Sequence, residues 1–127
     1  MAVILPSQSP PAGRWAVADY VTLRYETDPH TGTGPLVIEG PQLDHAEMWL
    51  IDHAVVACTS TAPTEVRWYE SQLDPRFLLD GSAEGNFDVA DWPAGLQVSP
   101  SRSLLVAWEG ADPGAVGYVT LQIRVLR

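Results

Sequence analysis

Apolar and polar positions alternate most cleanly in the last quarter of the chain. Val119, Leu121, Ile123 and Val125 alternate with Tyr118, Thr120, Gln122 and Arg124, the period of two that sends every second side chain to one face of a strand. Leu104, Val106 and Trp108 alternate with Ser103, Leu105 and Ala107 in the same way. The run between them, Glu109-Gly110-Ala111-Asp112-Pro113-Gly114, is turn chemistry, so two antiparallel strands joined by a loop are expected. Trp15 to Tyr25 repeats the pattern with Trp15, Val17, Val21 and Leu23 on one face, interrupted at Asp19. Shorter apolar pieces stand at Leu36-Val37-Ile38, at Glu65 to Glu70 (Val66 and Trp68 on one face), at Phe87-Asp88-Val89 and at Leu96-Gln97-Val98.

The segment from Asp44 to Thr59 obeys neither period alone. Asp44-His45-Ala46-Glu47 has capping-box spacing, and Ala46, Leu50 and Ala54 would share a helical face. Ile51, Val55, Val56, Cys58 and Thr59 favour a pleated surface instead, and Gly40-Pro41 suits a strand entry. It is read as a long central strand buried on both faces. With it, about eight strands at turn-punctuated spacing predict an all-β fold: a two-sheet antiparallel β-sandwich, jelly-roll-like. The sandwich domain covers residues 14–127. Residues 1–13 form an extended N-terminal arm, because Pro6, Pro10 and Pro11 remove donors and fix φ. The arm's tip, Val3, Ile4 and Leu5, is apolar and β-prone, which marks it as a candidate partner interface.

Composition adds exclusions. The net charge of −9, with seven scattered arginines and no lysine, repels phosphate backbones, so nucleic acid is not an expected partner. The apolar start is too short for a signal peptide and lacks a basic flank. No stretch approaches the length of a membrane span. Cys58 is the single cysteine and lies in an apolar run, as a buried small hydrophobe does.

Chemistry-bearing residues fall into a few clusters along the chain. His45, Glu47 and His53 with Asp44 and Asp52 offer metal-type donors. Eight residues of strand would separate the histidines by about 26 Å, and of helix by about 12 Å, too far for one ion. Asp74, Asp80, Glu84, Asp88 and Asp91 crowd a loop-rich stretch around Gly81 and Gly85, without the offsets of a calcium loop. Thr31-Gly32-Thr33-Gly34-Pro35 lacks the lysine of a phosphate loop and is a turn. No serine-hydrolase elbow is present. No catalytic residue, metal or cofactor is therefore expected. Trp15, Trp49, Trp68 and Trp108 sit at apolar phase and belong to the core. Trp92, in the Asp91-Trp92-Pro93-Ala94-Gly95 loop, is either an interface anchor or a plug over one end of the sandwich.

The order of features in the second half is also familiar. Trp49-Leu50-Ile51-Asp52-His53-Ala54-Val55-Val56 leads to Cys58-Thr59-Ser60 and Thr64-Glu65-Val66-Arg67-Trp68-Tyr69. Gly85-Asn86-Phe87-Asp88-Val89-Ala90-Asp91, Ser103-Leu104-Leu105-Val106-Ala107-Trp108 and Gly114-Ala115-Val116 follow. Over residues 45–127 this resembles small β-sandwich virion structural proteins of tailed phages that infect high-GC actinobacteria. The resemblance implies no enzymatic activity and no cofactor. It implies a virion location after assembly in the host cytoplasm, with the major capsid protein or other virion proteins as partners and a homo-oligomeric state. A capsid decoration protein is the first expectation. A tail or head–tail adaptor component is the second, and a carbohydrate-binding module using Trp92 and Tyr69 is the alternative from another class.

Overall fold

The computed structural model describes residues 15–127. The N-terminal arm, and with it Val3, Ile4 and Leu5, lies outside the described residues. Eight strands follow in order: β1 (Val17–Glu26), β2 (Leu36–Glu39), β3 (Met48–Cys58), β4 (Glu65–Glu70), β5 (Leu78–Ser82), β6 (Phe87–Val98), β7 (Leu104–Glu109) and β8 (Gly117–Leu126). They form two antiparallel four-stranded sheets, ordered β1-β8-β3-β6 and β2-β7-β4-β5. The pairs 4–5, 3–6, 2–7 and 1–8 are nested like one long ribbon rolled into a sandwich, which is jelly-roll topology.

The core lies between the sheets. Trp49, Ile51, Ala54 and Val56 of β3 and Val119, Leu121, Ile123 and Val125 of β8 face Val66 and Trp68 of β4 and Leu104, Val106 and Trp108 of β7. Trp108 is fully buried and its Nε1 donates to the Gly85 carbonyl at 2.9 Å, which removes the cost of an orphaned indole N–H. Its ring lies where a Cβ on Gly117 would sit, 2.7 Å away, so only glycine fits there.

Several expectations are corrected. The pieces at Phe87–Val89 and Leu96–Val98 are one strand, β6, and Trp92 belongs to it and not to a loop. The stretch from Asp80 contains a strand the alternation did not mark, β5, whose Leu78-Leu79-Asp80-Gly81-Ser82 carries too little apolar character. His45 lies in a turn ahead of β3 and Glu47 between that turn and the strand, because Asp44 turns the chain by accepting from the Ala46 N–H. Val17 is exposed, since a register shift between Val17 and Asp19 takes it out of phase with Val21 and Leu23. β3 is central, as expected, but only one of its faces is buried.

A bulge in β3 explains why its sequence fits no single period. Ile51 pairs with Ile123 and His53 with Gln122, so Asp52 is an extra residue. Both Asp52 and His53 then stand on the outer face, and the buried set moves from Trp49 and Ile51 to Ala54, Val56 and Cys58. On β6 the same point is answered by a larger bulge, Trp92 to Gly95, between the paired residues Asp91 and Leu96. Gly95 takes φ +83° there, and a Cβ on it would meet Leu50 at 2.8 Å and the Arg124 guanidinium at 3.0 Å.

Candidate functional site

Two places on the sandwich combine unusual residues. The first is the outer face of the β1-β8-β3-β6 sheet. Its outward rows can be read across the strands: Glu26, Tyr118, Ala57 and Phe87, then Arg24, Thr120, Val55 and Val89, then Thr22, Gln122, His53 and Asp91. The first two rows hold an apolar patch. Phe87 is 65% exposed, Val89 45% and Tyr118 42%, and Val55 and Ala57 lie half-buried between them. An exposed apolar patch on a sheet face is a candidate interaction site. Beyond it, His53 Nδ1 meets Asp91 Oδ1 at 2.6 Å across β3 and β6. Further along, Arg124 holds the bulged Asp52 through both carboxylate oxygens at 2.7–3.0 Å. That hydrogen bonding raises the Arg124 pKa above its ordinary value.

The second place is the open edge where β5 and β6 face each other across the core. Asp80 pairs with Trp68, Ser82 with Val66, Asp88 with Val56 and Ala90 with Ala54, so all four edge residues point inward between the sheets. Two hydrogen bonds clasp the edge. Ser82 Oγ donates to Asp88 Oδ2 at 2.5 Å, and Trp92 Nε1 donates to Asp80 Oδ2 at 2.6 Å while its ring meets Trp68 edge-on, centroids 5.2 Å apart. Between these bonds lies a cavity of about 200 Å³ with Ala54, Val56, Val66 and Trp68 among its lining residues. That volume is below the range of cofactor or drug-sized pockets. Inward-pointing carboxylates on edge strands also keep a sheet from pairing with another chain, and this accounts for Asp80 and Asp88.

The expected acidic cluster is thus divided among separate tasks. Asp74 caps the 3-10 turn at Pro75–Phe77, where hydrogen bonds from the Arg76 side chain and N–H hold its carboxyl below the ordinary range. Asp80 and Asp88 clasp the edge, and Asp91 pairs with His53 on the outer face. His45 pairs with Asp44 in an exposed turn, away from His53. Among the described residues no group of three or more His, Cys, Asp or Glu is placed to hold a metal ion. Among the described residues no helix is long and apolar enough to cross a membrane. Trp92 is half-buried, and Tyr69 is buried on the outer face of the other sheet, so the two form no shared platform.

Sequence reasoning passed over the residues that brace the end of the sandwich beside the apolar patch. Asp112 Oδ2 accepts from the Thr61 hydroxyl, the Thr61 N–H at 2.8 Å and the Ala62 N–H at 3.1 Å. The Thr61 hydroxyl, then these amides, hold the Asp112 carboxyl below its ordinary range. Asn86, next to Phe87, donates to the carbonyls of Ser60 and Ala62 and accepts from Thr64 Oγ1. His30, 9% exposed, ties the β1–β2 loop to the same end, with Nε2 2.9 Å from the Gly34 carbonyl and Nδ1 3.3 Å from that of Asp112. The one available signal was the density of Ser, Thr, Asn and Asp in two loops that topology brings together.

No family model matches the chain, and no curated protein matches it. Among solved structures it is similar to a chain in the cryo-EM structure of the extra small virus VLP of the giant freshwater prawn Macrobrachium rosenbergii. The identity is 12%, with 99% of this chain and 90% of that chain covered and a TM-score of 0.34. A likeness of that size adds nothing to the fold traced above.

Proposed function

We propose that this chain is a non-enzymatic structural protein of a tailed-phage particle, a capsid decoration protein that docks on the major capsid shell. The observation that carries this reading is the apolar patch Phe87, Val89, Val55, Ala57 and Tyr118 on the outer sheet face, set on a rigid strand framework. A fold that also serves lectins and cupins does not decide function by itself. The patch favours a protein partner: it is apolar at its centre, with Arg24, Glu26 and the His53–Asp91 pair as a polar rim. The acidic body suits an outer position, away from packaged DNA. A tailed-phage particle assembled in the host cytoplasm is what the resemblance of residues 45–127 implies, and it supports this reading.

The test is co-sedimentation of the purified chain with empty shells of its cognate major capsid protein. Binding is expected to fall at least tenfold for Phe87→Asp, with the thermal midpoint unchanged. Equal binding of both forms overturns the docking face. Recovery of the chain with tails and not with shells overturns the decoration role in favour of a tail or head–tail component.

A further inference from the structure

We propose that the outer edge of β1 is a self-pairing edge: two copies of this chain join β1 to β1 in antiparallel register, and their two four-stranded sheets become one. This edge borders the apolar patch at Arg24 and Glu26 but shares none of its apolar residues. Pairing there does not rest on shell docking.

The sandwich has four edge strands, and three of them are protected. β6 carries Pro93 within the Trp92–Gly95 bulge, β5 turns Asp80 inward, and β2 is only four residues long. Each device keeps a strand from pairing with another chain. β1 is ten residues long and contains no proline or glycine. Its bulge and its inward-facing Asp19 stand together at its start, and from Tyr20 to Glu26 it is regular. Among the described residues no strand lies along its outer side.

The backbone groups of that side are available for a ladder. The Thr27 N–H donates to the Gly117 carbonyl at 2.9 Å. Antiparallel bonding alternates, so Tyr25, Leu23 and Val21 bond β8, while Tyr20, Thr22, Arg24 and Glu26 turn their N–H and C=O groups away from it. The Tyr20 N–H accordingly meets the side chain of its own neighbour Asp19, at 2.9 Å.

The side chains select a second copy as the occupant, because the edge is complementary to itself. A twofold axis through Thr22 sets Thr22 opposite Thr22, and Tyr20 of each copy opposite Arg24 of the other, all on the outer face. Tyr20 is 73% exposed, more than any other large apolar side chain among the described residues, and the arginine opposite gives its ring a cation to stack on. On the inner face Val21 meets Leu23, two half-buried residues already packed against the core. The neighbouring registers serve less well. An axis through Val21 puts the Asp19 carboxylate opposite Leu23, and one through Leu23 brings Arg24 diagonal to Arg24 of the second copy. The axis stands perpendicular to the sheet, so both apolar patches come to the same face of the joined sheet.

Sedimentation velocity of the full chain should show a monomer–dimer equilibrium. Tyr20→Arg sets like charges opposite each other at both ends of the pairing and should weaken the dimer at least tenfold, with the circular dichroism spectrum unchanged. Tyr20→Arg combined with Arg24→Tyr exchanges the two partners and should restore dimerisation to within a few fold of the native chain. A chain that stays monomeric at millimolar concentration, or a dimer that Tyr20→Arg leaves intact, overturns the proposal. So does a dimer broken by Phe87→Asp and not by Tyr20→Arg, which places the contact on the patch. A second measurement uses Cys58→Ala, so that no native thiol interferes. Opposed residues of a bonded pair stand about 5.5 Å apart between Cα atoms, within the span of a disulfide. Added to that background, Thr22→Cys should form a disulfide-linked dimer under mild oxidation at least tenfold faster than Thr33→Cys, which is exposed on a loop. Equal rates overturn the pairing. Docking is read on shells and pairing on the free chain, so each can fail alone.

Discussion

The two outer faces of the sandwich are built alike and finished differently. On the β2-β7-β4-β5 sheet the outward residues Tyr69, Leu105 and Ala107, with Val37 beside them, form a second apolar cluster at 7%, 6% and 0% exposure. Arg67 hydrogen-bonds Tyr69 and pairs with Glu65 at 2.8 Å there, which raises its pKa. On the β1-β8-β3-β6 sheet the equivalent ladder of Val55, Ala57, Phe87, Val89 and Tyr118 stays open. One sequence therefore closes an outward apolar cluster on one side and leaves its counterpart exposed on the other. Exposed Phe87 is not a failure of packing capacity. It is the surface on which the proposed docking rests.

Matched substitutions on the two faces give the sharpest test of that contrast. Leu105→Ala on the closed face should cost about 2–5 kcal/mol, the range for a truncated buried leucine. Phe87→Ser on the open face should move stability by no more than about 0.5 kcal/mol. Chemical denaturation of both variants measures the gap, and similar losses would abolish the distinction. A smaller effect is expected at the clasped edge. Trp92→Phe keeps the ring against Trp68 but removes the donor to Asp80, for a loss of about 1–2 kcal/mol at a partly exposed carboxylate. Stability equal to the native chain would mean that water replaces that bond without cost.

The smallest effect concerns the polar brace at the end of the sandwich beside the open face. The depressed Asp112 carboxyl contributes stability above the ordinary carboxylate pKa, and that contribution is lost as pH falls through the lowered folded-state value. Native chain and Asp112→Asn should therefore differ in unfolding midpoint at neutral pH and converge in acid. A gap that persists unchanged in acid would show that the Thr61 and Ala62 contacts do not depend on the charge.

How much of this was legible beforehand follows from what each segment had to satisfy. β7 and β8 were plain because they are central strands whose inward side chains are apolar throughout, so burial and alternation coincide. β3 blurred because Asp52 inserts a residue and flips the phase halfway, and no period survives such a flip. β6 appeared as two fragments because Pro93 and Gly95, ordinarily turn residues, fill its bulge. β5 escaped because its inward positions carry Asp80 and Ser82 where alternation looks for apolar residues. The open patch was hidden for a related reason. Val55 and Ala57 looked like one more buried face, and only the register with Phe87 and Tyr118 shows that no strand of the second sheet lies over them.

The nested order of the strands also says when this protein can fold as it leaves the ribosome. β7 stands between β2 and β4, and β8 stands between β1 and β3. The last two strands in the chain are thus interior members of both sheets, and six strands made earlier include pairs that touch only through them. Until residues 117–126 emerge, β1 has no ladder partner and β3 has only β6. Local pairing of β4 with β5 can start early, but the roll closes last at its far ends, where β1 meets β8. Its core is completed after translation of the last strand, and the slow, long-range pairing this requires leaves apolar strand edges open for longer than in a fold of local contacts.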